Sequence, residues 1–176
     1  MNHTDHELSN LIGARVSNIL AQGFIDHDGP RPRFVPLSDV WYLVVDDGFI
    51  TVSSYRNDGQ LTVQRVSDTP PPIELDGEDE EFGLASLGVL FFDTAGPELP
   101  ITKIRYLVDE RSDPTQGIVR YVEFELSGST LIGFDPMHHF GIRPTLRGSC
   151  AEILADGHGA GQTLKEFVLP STRQQD

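Results

Sequence analysis

Apolar and polar positions alternate with period two along much of this chain, most clearly over residues 118–146, IVRYVEFELSGSTLIGFDPMHHFGIRPTL. Val122, Phe124 and Leu126 alternate with Tyr121, Glu123 and Glu125, the pattern of a strand with one greasier face. Gly128-Ser129 then reverses the chain. Glycine at the first central position suits a type II′ turn, a register that sets Leu126 opposite Leu131 and Phe124 opposite Gly133.

Residues 40–66 predict a meander. VWYLVV at 40–45 is rich in β-branched and aromatic residues, Asp47-Gly48 is a preferred type I′ dipeptide, 49–55 returns, and Asn57-Asp58-Gly59 turns the chain into 61–66. A two-residue turn at 47–48 pairs Val45 with Ile50, Leu43 with Val52 and Trp41 with Ser54, so these residues mark the core-facing side.

Upstream, Thr4 and Glu7 have the spacing of a capping box, and Leu8, Leu11 and Ile12 fall on one helical face before Gly13 interrupts it. Residues 14–25 fit a strand or a continued helix, and the strand is preferred because it matches a segment of the second half. Residues 26–36, with three prolines, form a loop. Residues 67–83 break the pattern with Pro70, Pro71, Pro72 and an acidic run, and read as a linker or exposed loop. Beyond it, 89–92 is expected as a buried strand, 101–108 (ITKIRYLV) as another, and 113–117 as the turn into the hairpin. Further strands are expected at 150–154 and 165–169, with a flexible turn at 156–161 and a disordered tail.

Segments 14–67 and 100–147 share a layout of strand, polar loop and hairpin, joined by the acidic, proline-rich connection 67–83. Two readings stand: an internally duplicated unit, or the ordinary recurrence of hairpins in a β-rich chain. The expected fold is α+β, predominantly antiparallel β, with hairpins, a meander and one or two short helices in a single domain, 1–176.

Length and composition narrow the function. A chain of 176 residues suits one domain, and no apolar run approaches the roughly 20 residues of a membrane helix. The start, MNHTDHELSN, carries no basic segment followed by an apolar one, so a cytoplasmic protein is expected. Cys150 is the only cysteine, which rules out an intrachain disulfide and suits a small buried apolar residue. The net charge of −14 disfavours nucleic acid and anionic membranes as partners and favours a basic protein, although such acidity also serves solubility. Glu74, Asp76, Glu78, Asp79, Glu80 and Glu81 form its densest run.

Candidate chemistry is sparse. Asp135, His138 and His139, with Arg143 nearby, offer a metal reading in which the carboxylate and one imidazole bind a zinc-like ion and His158 or His27 adds a ligand. Adjacent histidines in an extended segment point to opposite sides, and the competing reading is a turn begun by Asp135-Pro136. Ser149 lies outside any G-x-S-x-G elbow, and Gly157, Gly159 and Gly161 lack a P-loop lysine. Arg31, Arg33, Arg143 and Arg147 could clamp an acidic partner or serve internal ion pairs. No cofactor is expected.

The arrangement of LIGARV at 11–16, a variable loop and DVWYLVVDDGFITV at 39–52 resembles small bacterial cytoplasmic proteins, some of which accompany secreted toxins as immunity proteins. The resemblance covers about a third of the chain and implies an inhibitor that masks a toxin's active site, with the acidic charge steering a basic toxin. The leading expectation is a non-enzymatic acidic binding module of immunity or antitoxin type, contacting its partner through residues 74–81 and the carboxylates of Glu123 and Glu125, expected exposed. The alternative is a small metal-assisted hydrolase or ligand-binding protein using the Asp135, His138 and His139 loop.

Overall fold

The structure is a computed structural model that describes residues 8–71, 81–92, 98–113, 116–127, 130–137, 140–146, 150, 152 and 161–169. Among these the chain is mostly antiparallel β, in two sheets, one curled into a half-barrel, with one short helix. The strands are β1 (Arg15–Val16), β2 (Asn18–Asp26), β3 (Arg33–Val45), β4 (Gly48–Tyr55), β5 (Gln60–Val66) and β6 (Glu81–Ser86). After helix α1 (Gly88–Phe91) come β7 (Leu99–Val108), β8 (Ile118–Val119), β9 (Tyr121–Leu126), β10 (Thr130–Pro136), β11 (Ile142–Thr145) and β12 (Thr163–Val168).

Each sheet carries a four-strand meander whose first strand is joined at its free edge by the strand that follows the meander in the chain. In one sheet β2, β3, β4 and β5 run in order and β6 returns beside β2; in the other β7, β9, β10 and β11 run in order and β12 returns beside β7. Each half also lends a two-residue strand to the other. Arg15 and Val16 of β1 pair with Pro100 and Leu99 of β7, and Ile118 and Val119 of β8 pair with Thr62 and Leu61 of β5. The similar layout of the two halves therefore extends to strand order.

Alternation along the strands builds a single main core. Ile19, Leu43, Ile50, Val52 and Leu61 from one sheet join Ile101, Ile104, Val122, Phe124, Ile132 and Phe134 from the other, all fully buried. Trp41 and Phe134 meet across the two sheets with ring centroids 6.4 Å apart. Burying side chains of this size stabilises by roughly 1.5–3 kcal/mol each, and chain entropy opposes the sum.

Both hairpin registers differ from the expected ones. In the first, Val45 pairs with Gly48, Leu43 with Ile50 and Trp41 with Val52. The turn residues are Asp46 and Asp47. Positive φ among described non-glycine residues occurs only at Arg56 and Asn57, so this turn lacks the two left-handed residues of type I′, and Gly48 takes φ +128° where the strand begins. A shift of two leaves the core-facing side unchanged. In the second hairpin Leu126 pairs with Thr130 and Phe124 with Ile132, a slip of one. That slip sets Phe124 and Val122 against Ile132 and Phe134, apolar against apolar, instead of Phe124 against glycine. The turn residues Gly128 and Ser129 lie outside the described residues.

Other differences concern the connections. Residues 88–91 are helical rather than a buried strand, and Val89 and Leu90 are exposed while Phe92 enters the core. Glu81 to Gly83, expected in a loop, begin β6, because the free edge of β2 supplies backbone partners for the whole segment. Cys150 and Glu152 are helical where a strand was expected. Leu8 and Ser9 end a helical turn ahead of β1 and β2, in keeping with the helix-then-strand reading. No helix among the described residues is long and apolar enough to cross a membrane.

Candidate functional site

Among the described residues, a cluster of charged side chains lies on the sheet of β7, β9, β10, β11 and β12, on the face turned away from the main core. Antiparallel registry sets Glu166, Arg105, Glu123, Gly133 and Thr145 in one row across the five strands. Their chain neighbours Ile104 and Phe124 point the other way, into the core. Gly133 matters because it has no side chain: a Cβ there would collide with the Tyr121 hydroxyl and sit 2.7 Å from Thr145 Oγ1.

Glu123 is the centre of this row and is buried, at 1% exposure. Arg105 Nη2 lies 2.7 Å from Glu123 Oε1, an ion pair without an aligned N–H···O hydrogen bond, and the Tyr121 hydroxyl donates to Glu123 Oε2 at 3.4 Å. Arg105 also reaches Glu125 Oε2 at 3.5 Å, and Lys103 Nζ stands 3.7 Å from Glu125 and 3.8 Å from Glu166. Arg105 Nε is buried and has no hydrogen-bond partner among the described residues. Buried groups left so incompletely satisfied are uncommon in folded proteins, and this cluster holds two of them, Arg105 Nε and Glu123 Oε1.

Cys150 closes one side, packed with Leu107 and Tyr121 in a small apolar cluster. Burial, reinforced by the Glu123 carboxylate and partly opposed by Arg105, pushes its thiol up to about 12. The sulfur therefore remains protonated and is a poor nucleophile. The cluster holds charge in place and provides no activated nucleophile.

The expected site residues are dispersed. Glu74, Asp76, Glu78, Asp79 and Glu80 lie outside the described residues, as do His138 and His139. Glu81 is exposed in β6, with its carboxylate 3.5 Å from His27 Nε2. Glu123 corrects the expectation of an exposed carboxylate: in the middle of the row it is enclosed by Arg105 and Tyr121, on the face where Tyr121 also packs with buried Cys150. Glu125 is half-buried and tied to Lys103 and Arg105. Asp135 is held by Arg143 at 2.8 Å and Arg120 at 3.6 Å, so its oxygens already face two guanidinium groups. No group of three metal-ligand side chains occurs among the described residues. Lys103, Arg105 and Tyr121 were missed as site residues, although the alternation of Lys103 and Arg105 in ITKIRYLV opposite Glu123 and Glu125 would have signalled a charged cross-strand row.

Comparisons with protein-family models, curated proteins and solved structures gave no match.

Proposed function

We propose that this chain is a non-enzymatic, acidic protein-binding module of immunity or antitoxin type, which neutralises a basic toxin by direct binding. The supporting observation is how its charges are distributed. Arg15, Arg33, Arg65, Lys103, Arg105, Arg120 and Arg143 each meet a carboxylate of the chain itself. Asp28, Asp46, Asp68 and Glu110 are exposed with no cation partner among the described residues. These four carboxylates add uncompensated negative charge to the described surface of a chain with 27 acids and 13 bases. Such a field speeds association with a basic partner and rejects anionic ones.

The carboxylates are concentrated locally. The β3–β4 turn holds Asp46 and Asp47, and the chain leaving β5 beside that turn carries Asp68. Co-expression with the product of the adjacent gene, followed by size-exclusion chromatography, tests the reading. A 1:1 complex that weakens as salt is raised, and weakens further in a D46K/D68K variant, is expected. A neighbouring toxin that neither binds nor loses activity would overturn it.

A further inference from the structure

We infer that an arch in β3 forms a binding site for a small zwitterion of the α-amino-acid class. The β2–β3 ladder passes from Ala21 opposite Trp41 directly to Gly23 opposite Pro36, so Gln22 alone faces residues 37–40. Proline at 36 has no N–H for the ladder, and the longer strand bows away from β2. Beneath the arch is a cavity of about 370 Å³, with Gln22 among its lining residues and walls that include Leu37 and Val40. That volume lies near the lower end of the roughly 300–1,000 Å³ typical of small-molecule sites.

Three features of the lining select the ligand. Gln22 is 2% exposed, its Oε1 accepts a hydrogen bond from Tyr42 Oη at 2.8 Å, and its amide nitrogen has no partner among the described residues. That donor is not fully enclosed: it lies in the cavity lining, where a ligand oxygen would satisfy it. Second, Asp39 lines the cavity with no cation within 4.0 Å among the described residues. Third, Arg56 lines it with no carboxylate within that distance; its guanidinium lies 5.0 Å from the centre of the Tyr55 ring. Opposite charges thus share one small cavity without pairing to each other. A carboxylate on Arg56 and an ammonium on Asp39 would neutralise both, whereas a singly charged molecule leaves one unpaired.

The rim is formed by the β4–β5 turn. Arg56 and Asn57 both take φ +54°, a region L-residues rarely occupy, in the turn that joins β4 to β5. Ser54 Oγ donates to Asn57 Oδ1 at 3.1 Å, which leaves the Asn57 amide nitrogen as a further donor beside the guanidinium.

The test uses the full chain, titrated calorimetrically with each proteinogenic amino acid and with acetate and methylamine as singly charged fragments. The expected result is saturable 1:1 binding of at least one amino acid, a shift of the Gln22 side-chain amide resonances, and a loss of about tenfold or more in affinity in D39N and in R56Q, since each removes one charge contact. Both substituted residues are exposed, and circular dichroism should show unchanged folding. Absence of binding at about 10 mM ligand, acetate binding as tightly as the amino acid, or full affinity in a D39N/R56Q double variant would overturn the inference. None of these outcomes depends on a toxin partner.

Discussion

Replacing Arg105 by methionine tests whether the charged row on the outer face of β7 and β9 is a buried ion pair or a solvent-screened one. Glu123 has a fully buried side chain and Arg105 one that is 24% exposed, with 2.7 Å between their charged atoms. Removing one member of a buried pair strands the other, a loss of roughly 3–5 kcal/mol, and the partial exposure of Arg105 places the expected value near 3 kcal/mol. Against a total stability of about 5–15 kcal/mol this is a large fraction. With a urea slope of roughly 1–3 kcal/mol/M, the unfolding midpoint should fall by about 1–3 M. E123Q keeps the volume and leaves Arg105 its contact with Glu125, so a smaller loss of about 1–2 kcal/mol is expected. The double variant R105M/E123Q removes both charges and should lie within about 1 kcal/mol of the parent, a strongly non-additive cycle. Added salt should change the R105M effect little, because a buried pair is poorly screened. An R105M loss under about 0.5 kcal/mol, or a double variant equal to the sum of the singles, would refute the reasoning.

Four further outcomes are expected. Cys150 should resist iodoacetamide at pH 8 in the folded protein and react on denaturation, since a thiol pushed up to about 12 is thiolate in only about one molecule in ten thousand at that pH; rapid labelling of native protein would contradict its burial. Because this value stands above the ordinary 9.0, the stability that comes from keeping the thiol protonated is present below pH 9 and is lost as pH rises toward 12, which denaturant titrations in alkaline buffer can follow. Gly48→Ala should destabilise by roughly 1–3 kcal/mol in urea melts, because φ is +128° and a Cβ would run into the Val66 carbonyl oxygen; an unchanged midpoint would count against the turn geometry described. Asp26 is held below the usual carboxylate range, first by the backbone N–H of Asp28 and then by Arg33, so its contribution is present above about pH 3.8 and is lost as pH falls through the depressed value. Thermal melts of D26N and parent should therefore converge on acidification, and a gap constant from pH 6 to 2.5 would oppose this.

The chain alone determined the strands of the two meanders and the faces they bury. Trp41, Leu43 and Val45, and equally Val122, Phe124 and Leu126, entered the core because side chains on a strand alternate, whatever the strand pairs with. Both hairpins and the similar layout of the two halves were also legible, since these too depend on local pattern.

Register was not legible from the turn residues. Packing of Phe124 and Val122 against Ile132 and Phe134 outweighed the turn preference of Gly128-Ser129, and Asp47-Gly48 misled because the turn used Asp46 and Asp47. Tertiary structure alone decided that residues 81–86 would pair with the free edge of β2, and that Val89 and Leu90 would sit exposed in a helix. It also decided the fate of Glu123, since alternation assigns it to a polar face without showing whether that face is covered. The same holds for Gln22, Asp39 and Arg56, which come together only because the ladder passes over residues 37–40 of β3. Local pattern governs which way a side chain points. What meets it there depends on contacts between residues far apart in the chain, whose cost and reward no short window of sequence contains.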